Sequence, residues 1–176
     1  MSAGGPRVAV VVGNPSPGSR TLAAATWLAG ELVDGEPDLV VDLATYGGAV
    51  LDRHDAEVTG LVEQVAAADL VVVACPTYKA TYTGLLKVFL DRFAPGHGTG
   101  LTGLAVPLML GAGPTHALAP ELTLRPVLTE IGAVVPVRGL YVVDAGFDDP
   151  AAYADWLAAS RPVIHALLSA RTGATA

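Results

Sequence analysis

Short unbroken apolar runs alternate along the chain with longer stretches in which apolar residues return every three or four positions. The run from Arg7 to Val12 reads RVAVVV, β-branched and without alternation, and predicts a strand covered on both faces. Between Thr21 and Val33, Leu22, Ala25, Ala29 and Leu32 fall at helical spacing, and Gly35 and Pro37 end the pattern. Leu39 to Leu43 predicts a second strand. Asp55 is placed to cap a helix over 56–67, with Val58, Leu61, Val62 and Val65 on its buried side. A third strand follows from Leu70 to Ala74, then a helix from Tyr82 to Phe93.

Leu104 to Leu110 predicts a fourth strand containing Pro107, where the missing ladder donor suggests a bulge. A helix over 118–131 contains Pro120 in its first turn and Pro126, which should kink it. Val134 to Val143 reads as a fifth strand, broken near Gly139, and 151–170 as a closing helix bent at Pro162. Five alternations of strand and helix predict an α/β domain: a doubly wound, five-stranded parallel sheet with helices on both faces. One domain spans 1–176, with its core over 7–172. Ligands of such sheets sit beyond the carboxyl ends of the strands, where strand order reverses. The segments to read are therefore 13–21, 76–81 and 111–116.

Composition narrows the classes. Apolar residues make up 52% of the 176 and charged residues 15%, which argues against extensive disorder. No apolar run is long enough to cross a bilayer, and no charged segment followed by an apolar one opens the chain. A soluble, cytoplasmic protein without membrane partners is expected. The net charge is −7 and the basic residues are scattered, which disfavours nucleic acid. The single cysteine excludes an internal disulfide, and no metal set is visible.

The first loop, GNPSPGSRT from Gly13 to Thr21, joins a strand to a helix N-terminus, where free N–H groups and the helix dipole favour an anion. Ser16, Ser19 and Thr21 add hydroxyl donors and Arg20 adds charge. Ser19 stands where a Walker A loop has lysine, and G-x-G-x-x-G is absent. A phosphate monoester suits this loop better than a triphosphate. The plain alternative is an ordinary N-cap with a solvated arginine.

The second loop, Pro76, Thr77, Tyr78, Lys79, Ala80 and Thr81, places turn-formers, hydroxyls and a cation directly after a buried strand. It suits the edge of a flat heterocycle, with Tyr78 or Tyr82 adding aromatic surface. The third, Gly111, Ala112, Gly113 and Pro114, lets backbone come close to a ligand. No acid–base pair accompanies these loops, as fits a cofactor that carries its own chemistry.

GNPSPGSRT, CPTYKATYTGLLKVFLDRF and GAGPTHAL followed by LRPVL together resemble the NADPH-dependent FMN reductase family, in the branch of flavin reductases that serve sulfonate monooxygenases. The resemblance covers nearly the whole chain, and the middle motif is the specific one. It implies a flavodoxin-like fold, FMN and NADPH or NADH as cofactors, and dimers or tetramers with flavin near subunit contacts. By motif, the phosphate falls to Ser19, Arg20 and Thr21 with Asn14 and Ser16 nearby. The isoalloxazine edge falls to Pro76–Thr81, with Gly111–Pro114 on its other side. Some members of that branch carry Tyr or His where Leu122 lies, and this chain has no aromatic between Leu118 and Arg125.

The helix over 82–93 is apolar nearly all round, with a narrow stripe of Thr83, Lys87 and Asp91, so a second subunit is expected against it. Cys75 reads as a small buried hydrophobe and His116 as a residue at the third loop. The expected activity is NAD(P)H:flavin oxidoreductase, with no catalytic side chain required and with a flavin-dependent monooxygenase as recipient of the reduced flavin. An FMN-retaining quinone or azo reductase and a flavodoxin-like electron carrier are the alternatives. Arg53, Arg92 and Arg138 are candidates for selecting NADPH over NADH.

Overall fold

A computed structural model describes residues 5–173. Five parallel strands, β1 (Val8–Val12), β2 (Leu39–Asp42), β3 (Leu70–Pro76), β4 (Leu104–Gly111) and β5 (Leu140–Val143), stand in the order β2-β1-β3-β4-β5. The helices are α1 (Arg20–Val33), α2 (Ala56–Ala66), α3 (Gly84–Leu90), α4 (Arg125–Glu130) and α5 (Ala154–Gly173). Alternate residues of each central strand serve opposite cores. Val8, Val10 and Val12 pack with α1 and α5, whereas Ala9 and Val11 face the layer that includes α2, α3 and α4. That two-sided burial is why the strands read as unbroken apolar runs. The order reverses between β1 and β3, and their following loops lead to helices on opposite faces. The result is the α/β, flavodoxin-like arrangement.

Several boundaries differ from expectation. β3 continues through Cys75 and Pro76, which align with Met109 and Leu110. α3 begins at Gly84, not Tyr82, because the Thr83 side chain accepts the Leu86 N–H and takes extended backbone angles as the N-cap. No bulge forms at Pro107, which aligns in register with Val73. Leu104 N–H donates to Asp69 on the β3 side and Ala105 N–H to Val134 on the other. Alternation then turns the Pro107 nitrogen away from β3, where β5 pairing starts only at Leu108.

The expected fifth strand is split. Val134 makes an isolated bridge to Leu104, and the ladder resumes at Leu140. Arg125 donates to the Val135 and Val137 carbonyls at 2.6 and 2.8 Å, and Glu121 accepts from Gly139 N–H, so side chains replace the missing ladder. The segment around Pro126 is accommodated by a π-helical turn, Pro120–Leu124, immediately before α4. α5 runs on through Pro162.

Candidate functional site

The first loop is anchored at both ends. Gly13 N–H donates to the Ala74 carbonyl at 2.8 Å, and the Gly13 carbonyl accepts from Thr83 Oγ1 at 2.5 Å. A Cβ at residue 13 would overlap the Leu86 side chain, so glycine here lets α3 pack against the strand end. Asn14 Oδ1 accepts the Ser16 N–H at 2.9 Å and its Nδ2 donates to Thr21 Oγ1 at 3.1 Å. Gly18 takes φ +63° and donates its N–H to Asp42 Oδ2 at 2.9 Å. Ser19 caps α1 by accepting the Leu22 N–H at 3.3 Å. Thr21 is buried. Arg20 pairs with Asp144 from the loop after β5 and lies over the Phe147 ring, 5.8 Å from its centroid.

The second loop is a small hairpin. Thr77 N–H donates to the Leu110 carbonyl at 2.6 Å, fastening the end of β3 to β4. Tyr78 and Thr81 exchange backbone hydrogen bonds at 2.9 and 3.3 Å around Lys79 and Ala80, whose φ values are +52° and +71°. Two positive φ values in a two-residue turn are the type I′ pattern, usually given to Asn-Gly. Placing Lys and Ala there stores strain. The Thr77 hydroxyl is shut off from solvent without a hydrogen-bond partner, and Tyr78 is 51% exposed beside it in the chain.

In the third loop, Gly111 has a different reason for lacking a side chain. A Cβ there would fall on the Tyr141 hydroxyl, which donates to the Gly113 carbonyl at 2.7 Å. The expected close approach is thus made first by Tyr141. Beyond it, Ala112 is exposed, Pro114–His116 form a 3₁₀ turn, and a cleft of about 450 Å³ lies between Ala80, His116, Leu118 and Leu122. Leu122, at 71% exposure, occupies the π-helical turn.

Parallel neighbours β1, β3 and β4 bring all three loops to one edge of the sheet, and the Gly13–Ala74, Gly13–Thr83 and Thr77–Leu110 bonds tie them together. Four residues outside the expected set build this edge. Thr83 both caps α3 and grips loop one. Asp42 at the end of β2 holds Gly18. Asp144 and Tyr141 come from β5 and its following loop. Asp42 ends β2 and Asp144 directly follows β5 at the carboxyl edge, a position the sequence pattern marks. Burial raises the Cys75 thiol to about 12, so it stays protonated at neutral pH and offers no nucleophile. Arg92 is committed to the Asp52 and Arg53 carbonyls and to Thr59.

The family model described as NADPH-dependent FMN reductase matches residues 6–148. The chain belongs to the NADPH-dependent FMN reductase family. Among curated relatives, an FMN reductase (NADPH) of Pseudomonas aeruginosa is 33% identical over 154 residues, covering 81% of this chain and 80% of the relative. An NADH-dependent FMN reductase, SfnF, of Pseudomonas fluorescens is 32% identical over 142 residues, covering 74% and 73%. Among solved structures, the apo form of an NADH:FMN oxidoreductase, EMOB, superposes with TM-score 0.76 at 27% identity, covering 94% of this chain and 89% of that one. A Corynebacterium diphtheriae oxidoreductase superposes with TM-score 0.79 at 20% identity, covering 94% and 98%, which supports the fold. For a member of this family, a helix N-terminus after β1 and a buried, unpartnered hydroxyl after the neighbouring β3 fit a ligand with an anionic tail and a polar-edged ring.

Proposed function

We propose that this chain is an NAD(P)H-dependent FMN reductase, one FMN-binding domain over 1–176 that acts in the cytoplasm and hands reduced flavin to a partner flavin-dependent monooxygenase. The observation that carries the site is the Thr77 hydroxyl, buried and unpartnered at the strand edge where the three loops meet. A buried hydroxyl without an acceptor costs about 1–3 kcal/mol, and an acceptor on a bound ring would recover it.

Ser19, Arg20 and Thr21, with Asn14 and Ser16, would receive the phosphate. Pro76–Thr81 would receive the ring edge and Gly111–Pro114 its other side. FMN, when bound, supplies the redox chemistry by accepting hydride from NAD(P)H. The chain's own part is to orient and to exclude water. Thr77 would donate to the ring edge, Tyr78 would cover part of it, and Lys79 would add positive charge nearby. The strained turn fixes where Lys79 and Ala80 stand. A homodimer or tetramer is proposed through the α3 segment, where Tyr82, Leu85 and Val88 stay half-buried and Lys87 pairs with Asp91. The absence, among described residues, of a helix long and apolar enough to span a membrane is compatible with this setting.

Thr77→Val tests the ring site. Titration with FMN and with riboflavin should show both weakened by about tenfold, since one hydrogen bond to the shared ring is lost. Unchanged affinity for both flavins would remove Thr77 from the site. Arg20→Ala should weaken FMN more than riboflavin, and equal losses would remove Arg20 from the phosphate end.

A further inference from the structure

Two groups of the first loop, the Arg20 guanidinium and the Gly18 N–H, are already engaged by carboxylates. Arg20, the cation of that loop, is paired with Asp144. The Gly18 N–H donates to Asp42 Oδ2. Asp42 is 9% exposed, and its second oxygen, Oδ1, is closed off from solvent with no hydrogen-bond partner. No ion pair among the described residues includes Asp42.

Anchoring Gly18 does not explain that charge. An asparagine would accept the same N–H through its amide oxygen without burying an uncompensated carboxylate, which is costly. The field of Asp42 is felt nearby: the Tyr46 phenol is raised by burial first, then by Glu57 and Asp42. One cation against two carboxylates leaves the loop with an excess of negative charge. A phosphate monoester carries between one and two negative charges at neutral pH. To settle at the α1 N-terminus it must share Arg20 with Asp144 and come close to Asp42, although the helix dipole attracts it.

We propose that Asp42 and Asp144 keep the phosphate end of FMN weakly held, so that flavin exchanges after each reduction as a product and is not retained as a prosthetic group. This inference rests on the reading of the site as that of an FMN reductase. The helix N-terminus offsets part of the repulsion, and the two carboxylates limit how tightly an anionic tail is held. The substrate class follows: a flavin monophosphate that enters and leaves, with most of its affinity coming from the ring.

The test titrates FMN and riboflavin in parallel into the full-length protein, Asp42→Asn, Asp144→Asn and the double variant, with thermal unfolding as a check on folding. Each single variant should bind FMN about tenfold tighter while riboflavin affinity stays within about twofold, because only the phosphate meets the removed charge. The double variant should bind FMN tightest and turn over excess FMN more slowly, with a lower KM. FMN affinity that stays level or falls relative to riboflavin in both single variants would overturn the proposal and make the carboxylates anchors alone.

A second measurement needs no variant. Raising salt from about 0.05 M to about 0.5 M screens exposed charges. It should tighten FMN relative to riboflavin in the wild type if repulsion prevails, whereas weakening would mean a net attractive loop and would contradict the proposal. Failure of the wild type to bind either flavin would instead sink the reductase reading, and so the two failures remain distinct.

Discussion

The loops after β1 and β3 lie side by side on the same edge of the sheet, and their polar groups are deployed in opposite ways. In 13–19, Asn14 holds Ser16 and Thr21, Ser19 holds Leu22, and the Gly18 N–H is held by Asp42. In 76–81, a turn with two non-glycine residues at positive φ is closed by Tyr78 and Thr81, while the Thr77 hydroxyl is left without a partner. The first loop is already satisfied, so an anion arriving there competes with existing contacts. The second carries strain and an unmet donor, so a ring arriving there relieves a cost. In the proposed function, recognition of the ring and tolerance of the phosphate are thereby divided between neighbouring strand ends. A satisfied loop should also respond to mutation mainly through stability, and an unsatisfied one mainly through binding.

The largest expected effect breaks the first loop. Gly13→Ala forces a methyl into the Leu86 side chain and should cost about 3 kcal/mol in urea unfolding, as overpacking against a buried helix does. Thr83→Ala removes the α3 cap and the bond to the Gly13 carbonyl together, and should cost about 2 kcal/mol. Thr83→Ser keeps the hydroxyl and should recover most of that loss; no recovery would mean that methyl packing, not capping, is what matters. The smallest effect sharpens the other side. Replacing Lys79 and Ala80 together by Asn-Gly relieves the turn and should raise stability by about 1 kcal/mol, because both positions have positive φ. Flavin affinity should fall at the same time if Lys79 helps place the ring. A destabilised double variant would show that the turn is not strained.

The order of strands and helices was legible because the central strands β1, β3 and β4 are buried on both faces and the helices carry apolar faces, signals that depend on neighbours only in general terms. The loops proposed as the site are chosen for a similar reason: in a doubly wound sheet ligands sit beyond the strand ends, and β1, β3 and β4 lead into segments rich in glycine, hydroxyl and proline residues. What stayed hidden depends on particular long-range partners. Thr83 fits a helical position by pattern, but its hydroxyl reaches Gly13, 70 residues earlier. Arg20 read as a phosphate ligand, and its pairing with Asp144, 124 residues away, carries no local signal. Gly111 suggested access for a ligand, yet Tyr141 fills that space. Pro107 suggested a bulge because its alignment with the unpaired side of β4 depends on where β5 begins.

The most direct test of the central claim is anaerobic addition of NADPH to the full-length protein with FMN below one equivalent and then in large excess, following loss of oxidised flavin absorbance. Steady reduction of many equivalents of FMN is expected, with riboflavin reduced at a comparable rate because the ring carries most of the affinity. Rapid reduction of a single tightly held equivalent, with the excess left oxidised, would contradict that claim.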